Sequence, residues 1–333
     1  MSLTLTRRTL RIGLAPIVLL LSMSCRVVAE GNTINGKANQ EVTVEEVIQR
    51  LEQVEAKLHS FRVHCLSNSQ RQSLDIRVNG DGPERVFSVL VSSRATTNSV
   101  WHYRDDGSSR FEADRVQVDV TANGGRQVKR FSAYLVFDEP RGRGKHLWLN
   151  SPDSDVRMWG TNEEKYSSTP QGSLEMCPIG FLTRSSGRSY SQELRHEEAK
   201  ITRREMLEGR SLVVLTTNVR QTRPNIEFYQ HRELWVDVER GVVVRCETFE
   251  RNAEEWAWGI RHRLESGDYQ WEAGSQLWLP TSAKEFNWSV HSQGQWKLDS
   301  VEVFAYNHWE INPQIDDETF SIDQDWSSLK DRR

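Results

Sequence analysis

The chain of 333 residues has none of the short signatures of catalytic sites: no GxSxG elbow, no HExxH pair, no GxGxxG turn and no complete phosphate loop. The nearest approach, Gly142-Arg143-Gly144-Lys145, lacks the first glycine at the required spacing. It is followed by His146 where a hydroxyl residue belongs, and reads as a mobile basic loop. The nine histidines are dispersed, with no two at i,i+2 or i,i+4, so no single strand or helix offers a chelating pair. Four cysteines occur without a CxxC spacing, which excludes the common zinc and dithiol motifs. No cofactor motif remains, and no catalytic or metal-binding residue is assigned. The longest apolar run, residues 12–23, falls short of the roughly 20 residues that span a bilayer. There is no repeat of fixed period and no low-complexity tract.

The amino terminus has the three parts of a secretory signal: basic Arg7, Arg8 and Arg11, the apolar run, and a small-residue site at Val27-Val28-Ala29. Cleavage is expected after Ala29, with residues 1–29 as the signal peptide and 30–40 as a polar, flexible leader. A variant reading takes Leu21-Ser22-Met23-Ser24-Cys25 as a lipoprotein signal, in which acylated Cys25 anchors the same domain to a membrane. Thr6-Arg7-Arg8-Thr9-Leu10 is a faint twin-arginine pattern. The formal net charge of −4 becomes four units more negative once Arg7, Arg8, Arg11 and Arg26 leave, which argues against a nucleic-acid partner. Cys65, Cys177 and Cys246 then allow one disulfide at most, or persist as buried thiols. Asn287-Trp288-Ser289 is a glycosylation sequon, discounted for an expected bacterial envelope protein.

Thr43-Val44-Glu45-Glu46 fits a capping box, with Val42 and Val47 at the staple positions. Val44, Val47, Ile48, Leu51, Val54 and Leu58 follow at helical spacing, predicting an amphipathic helix over about 44–59 that packs on a sheet. Beyond it the period becomes two. Arg85 to Val91, Val116 to Val120 and Val128 to Phe137 read as strands, separated by Asn79-Gly80-Asp81-Gly82, Asp105-Asp106-Gly107 and Asn123-Gly124-Gly125. Strands resume at Ser211 to Val219, Glu227 to Val238, Val242 to Phe249, Gln276 to Phe286 and Trp296 to Tyr306. The expected class is mostly β (α+β), an antiparallel meander with an amino-terminal helix. The stretch from Asp138 to about Glu198 is different, with Pro140, a Gly/Arg run, and Pro178 and Gly180 interrupting Leu174 to Leu182. It reads as an insertion or a helical to irregular lid, or equally as a surface excursion.

Twelve tryptophans supply core material, and some can line a cavity or form a stacking platform for lipid or sugar. The acidic pairs Asp105-Asp106 and Asp316-Asp317 lie in turn-like sequence, where Asp is expected for backbone reasons. His196-Glu197-Glu198 reads as a solvated face.

Leu234-Trp235-Val236-Asp237, a turn at Gly241 and the return Val242-Val243-Val244-Arg245 resemble the central hairpin of the bacterial periplasmic lipoprotein-sorting carriers, the LolA/LolB-like proteins. Leu277-Trp278-Leu279-Pro280-Thr281 is similar to a strand start in that family. Val301-Glu302-Val303-Phe304-Ala305-Tyr306-Asn307 and Ile315-Asp316-Asp317-Glu318-Thr319-Phe320-Ser321-Ile322 are similar to its closing strand and tail. The resemblance covers about 41–66 and 226–326 and carries no reacting group. It implies one domain over 41–326, followed by a polar tail at 327–333: a curved antiparallel half-barrel closed by helices around an apolar cavity for acyl chains. Shielding one sixteen-carbon chain is worth on the order of 10 kcal/mol without any polar contact.

The expected function is therefore a non-enzymatic carrier, exported to the periplasm or cell envelope, whose partner is a lipid or acylated protein. Membrane contact would be transient or made through Cys25. Leu174, Met176, Ile179, Phe181 and Leu182 are candidate lid residues, and Trp101 and Trp235 candidate cavity residues. Alternatives are an envelope sensor or scaffold binding a protein partner, and a secreted carbohydrate-binding or hydrolytic module.

Overall fold

The computed structural model describes residues 42–71, 75–79, 86–121, 124–138, 143–149, 156–160, 184–185, 188–207, 209–221, 229–251, 257–290, 296–321 and 323. The expected signal peptide and leader (1–40), the tail at 327–333 and the lid segment 174–182 lie outside them.

Helix α1 (Val44–Glu55) begins where the capping box places it. The Glu46 amide donates to Thr43 Oγ1 at 3.2 Å, and the Thr43 amide donates to the Glu46 carboxylate at 2.7 Å. It ends at Glu55, short of residue 59, because a tertiary partner takes over. The His59 and Ser60 amides donate to the Asn312 side-chain carbonyl at 2.8 and 3.1 Å, and the Asn312 amide donates to the Lys57 carbonyl at 2.8 Å. The β-rich sequence then runs through β1 (Ser60–Arg71), β2 (Asp75–Asn79), β3 (Val86–Arg104), β4 (Ser109–Thr121), β5 (Arg126–Asp138), β6 (Arg143–Leu149) and β7 (Val156–Gly160). A two-residue pair, β8 (Arg184–Ser185) and β9 (Arg188–Ser189), leads into α2 (Tyr190–His196). The second run is β10 (Lys200–Leu207), β11 (Arg210–Thr216), β12 (Arg220–Gln221), β13 (Tyr229–Asp237), β14 (Val242–Arg251), β15 (Gly259–Ser266), β16 (Tyr269–Glu272), β17 (Leu277–Pro280), β18 (Ser282–Val290) and β19 (Trp296–Ile311).

One open antiparallel sheet takes fifteen of the described strands, in the order β10-β11-β13-β14-β15-β18-β19-β1-β3-β4-β5-β6-β7, with β12 beside β13 and β2 beside β3. The two halves of the chain each form a meander, and they join where the last strand, β19, pairs with the first, β1. Expected turns recur at the expected glycines, with Gly107 and Gly241 at φ +91 and +67. The long strand expected over Gln276 to Phe286 is broken. Pro280 has no amide to continue a ladder. At Thr281 the chain leaves the β16–β17 hairpin and enters β18 of the main sheet.

Helices α1 and α2 cover one face, termed here the helix face. Val54 and Leu58 pack with Phe61, Val63, Trp101, Tyr103, Phe304 and Tyr306, while Val47, Ile48 and Leu51 pack with Tyr190, Leu194, Val213, Leu215, Leu234 and Val236. The opposite face is the open face.

The region from Asp138 to Glu198 differs from a lid in its described parts. β6 and β7 extend the sheet, with Asp138 opposite Arg143 and Leu147 opposite Val156. Leu147-Trp148-Leu149 and Val156-Arg157-Met158-Trp159 are strand-forming stretches that the neighbouring Gly/Arg run obscured. α2 is core rather than cover: a Ser189–Gln192 capping box starts it, Tyr190 and Leu194 are 1% exposed, and Ser191 donates through its amide to Glu55 of α1 at 3.0 Å.

Candidate functional site

The helix face divides into two halves. The half beneath α1 is apolar and filled by the protein's own side chains. Trp101 is 3% exposed and packs against Phe111, with ring centroids 4.2 Å apart and planes tilted by 42°. In the other half, inward positions carry Ser67, Thr97, Ser99, Asp119 and Glu285, all buried. Glu302 stands directly opposite Glu285 in the β18–β19 register. It accepts from Ser67 Oγ at 2.5 Å, and Glu285 lies 2.9 Å from His262 Nε2. Burial raises the Glu302 carboxyl above its ordinary value, and the neighbouring Glu285 adds to the rise. Burial also pushes the Cys65 thiol up to about 12, which keeps it protonated and a poor nucleophile. Cys246 is a second buried thiol.

Trp235, the other candidate cavity residue, is on the open face and is also 3% exposed. Arg203 and Arg245 lie over its ring at 5.0 and 4.4 Å from the centroid, and its Nε1 donates to Glu205 at 3.0 Å. Every arginine of this carpet has a carboxylate. Arg203 meets Glu205 and Glu233 at 2.6 and 2.7 Å, Arg245 meets Glu247, and Arg263 meets Glu247 at 2.6 Å. The turn acids are likewise structural. Asp105 lies 3.0 Å from His59 Nδ1, Asp106 and Asp317 hold Arg104, and Asp316 caps the 3-10 turn Asp317–Phe320.

The open face of the other half is built differently. Along β4, Gln117 and Asp119 point to the helix face, so Val116, Val118 and Val120 point outward. The same inversion places Leu66 outward beside buried Cys65 and Ser67, and Val301 and Val303 outward beside Glu302. Leu66, Val116, Val128, Leu298 and Val303 are all more than 40% exposed. The result is a groove of about 540 Å³ with valine walls, Val301 and Val303 on one side and Val116 and Val118 on the other, over a floor of Asn68, Gln70, Arg94 and Thr96. A second hollow of about 210 Å³ adjoins it through Gln70 and Val301 and runs toward Leu298.

No family model matches the chain. No curated protein sequence matches it either. Among solved structures, a DUF1329 family protein from Desulfovibrio piger aligns over 83% of this chain and 95% of its own at 11% identity, with a TM-score of 0.45. A β-barrel-like protein of the DUF1849 domain from Brucella abortus aligns over 77% of this chain and 99% of its own, at 6% identity and a TM-score of 0.25. MucB, solved in complex with MucA(peri), aligns over 79% and 92%, at 10% identity and a TM-score of 0.13. These likenesses are too weak to transfer a fold, a function or a residue role.

Of the residues singled out in the sequence, Trp101 and Trp235 are buried on opposite faces of the sheet and do not meet, and the five lid candidates lie outside the described residues. The groove residues were not singled out. The readable signal was the alternation itself: in Val116-Gln117-Val118-Asp119-Val120 the valines and the polar residues occupy opposite faces, but which set points inward is a tertiary fact. Among the described residues, no group of three His, Cys, Asp or Glu side chains could hold a metal ion, and no helix is long and apolar enough to cross a membrane.

Proposed function

We propose that this is an exported binding protein that shields an apolar chain in the open-face groove, without catalysing a reaction. The observation that carries the reading is the outward valine wall. Val116, Val118, Val301 and Val303 line one hollow on a face from which an ordinary one-sided sheet would exclude them. Contiguous exposed apolar surface is the feature that marks many binding grooves. The export half of the reading rests on residues 1–29, and Cys25 acylation would tether the same groove to a membrane. Native mass spectrometry and lipid extraction of protein from a periplasmic fraction test both halves. A bound acyl species, lost in Val116→Asp and Val301→Asp, supports the groove. A clean apo mass, with no chain taken up from added lipid, overturns it. A mass beginning at residue 30 supports cleavage after Ala29, and an acylated mass beginning at Cys25 supports the anchor.

A second reading is favoured by the sheet edge. β10 ends the strand order among the described residues, and Met206 and Leu207 are 69% and 47% exposed there. Such an edge can accept a strand from a protein partner. A pull-down from envelope extract should then enrich a partner that Met206→Pro releases; no enrichment over control sinks that reading.

A further inference from the structure

We infer that the occupant of the groove is a single-chain amphiphile with an anionic head, its charge received by Arg94 and Arg130; this rests on the groove reading above. The two halves of the open face carry their arginines differently. On β10, β13, β14 and β15, Arg203, Arg245 and Arg263 are each held by one or more glutamates, as a structural carpet requires. Around the valine groove, Arg94, Arg126 and Arg130 are exposed and make no ion pair among the described residues.

Register places all three on the open face with the valines. Arg94 stands opposite Val118, which stands opposite Val128; Arg130 stands opposite Val116, and Arg126 opposite Val120. At about 4.8 Å between strands, the β3 and β5 backbones lie roughly 10 Å apart, so Arg94 and Arg130 flank Val116 and Val118 of β4 from its two sides. Among the described acids near the groove, Asp299 pairs with Arg71 at 3.1 Å, while Asp114 accepts from Ser132 Oγ at 2.5 Å and makes no ion pair with Arg94 or Arg130. Asn68 accepts from Thr96 at 2.9 Å, leaving the Arg94 guanidinium as the charged group of the floor.

Valine walls on both sides, with one unpaired guanidinium on the floor and another beside Val116, match the two halves of a fatty carboxylate or an alkyl phosphate. A guanidinium forms paired charge-assisted hydrogen bonds with either head. The hollow shape favours a monomer over a bilayer, which would meet a flat or protruding surface.

The test is calorimetry on the full mature chain with twelve-carbon ligands below their micelle concentrations: laurate, dodecyl phosphate, dodecylphosphocholine and dodecyl maltoside. The anionic pair should bind at least roughly tenfold tighter than the maltoside. Arg94→Gln with Arg130→Gln should erase that preference while leaving maltoside binding intact, and Arg50→Gln on α1 should change nothing. Laurate against dodecyl phosphate separates carboxylate from phosphate sources, and preference for either supports the proposal. Equal affinity for all four heads overturns this inference and leaves the groove reading standing. Failure of every ligand overturns the groove reading itself. Binding to vesicles of phosphatidylcholine and phosphatidylglycerol without binding any monomer overturns the inference in favour of a membrane-docking face.

Discussion

Glu302 shows how a single buried carboxyl couples this fold to pH. Its carboxyl is raised above its ordinary value of 4.5 by burial and by Glu285 across the ladder. A carboxyl raised in the folded state contributes its stability below the unfolded value, and that contribution is lost as pH rises through the folded value. Glu302→Gln keeps an acceptor for the Ser67 hydroxyl and removes the ionisation. The variant should match the parent in thermal melts below about pH 4.5 and become progressively the more stable of the two above it. Parallel curves across pH would show that the charge is already compensated. The buried pair of Glu193 and Arg232 is the opposite case. Two bonds of 2.9 and 3.0 Å join side chains 6% and 9% exposed. Glu193→Ala strands the guanidinium and should cost about 3–5 kcal/mol in urea unfolding. None of these pairings could be read from the sequence, since each joins residues on separate elements.

At the scale of elements, local chemistry was legible where it was self-contained. The capping box started α1 at the expected residue, and the β13–β14 hairpin turned at Gly241, whose amide donates to the Asp237 carbonyl at 2.8 Å. That glycine carries a tertiary burden as well. A Cβ there would meet Val54 Cγ2 at 2.8 Å and the Arg50 carbonyl oxygen at 3.2 Å, besides forcing φ +67 on a residue with a side chain. Gly241→Ala should therefore cost about 1–3 kcal/mol, measured by denaturant midpoint. A second change, Val54→Ala, should relieve the contact and leave the backbone strain, so the two losses should not add. The seven-residue α2 was missed because one turn of apolar spacing, Tyr190 and Leu194, is too short to declare a helix. What makes it a helix is its docking on α1, where Arg195 bridges Glu45 and Glu52 at 2.9 and 3.1 Å.

At the scale of the molecule, the described residues fill the helix face with the protein's own aromatics and polar pairs, and the groove they line lies on the reverse of the sheet. A ligand held there binds the folded chain alone and should stabilise it. At a hundredfold excess over the dissociation constant the gain is about 2.7 kcal/mol, a rise on the order of 5–10 °C in the melting temperature. Laurate should produce that shift in the parent and none in Val116→Asp, with scanning fluorimetry as the readout. An equal shift in both would place the ligand elsewhere.

The sequence by itself determined the mostly-β class, the capped amino-terminal helix, the positions of most turns and the absence of recognised catalytic signatures. Those follow from propensities and backbone chemistry that act over a few residues. Only the tertiary structure decided which side of each strand faces the helices. Period-two alternation in Val116 to Val120 is the same pattern whichever face is inward, and the choice is made by neighbouring strands through the register of β3, β4 and β5. That choice turned valines outward, left Arg94, Arg126 and Arg130 beside them, and so created the groove.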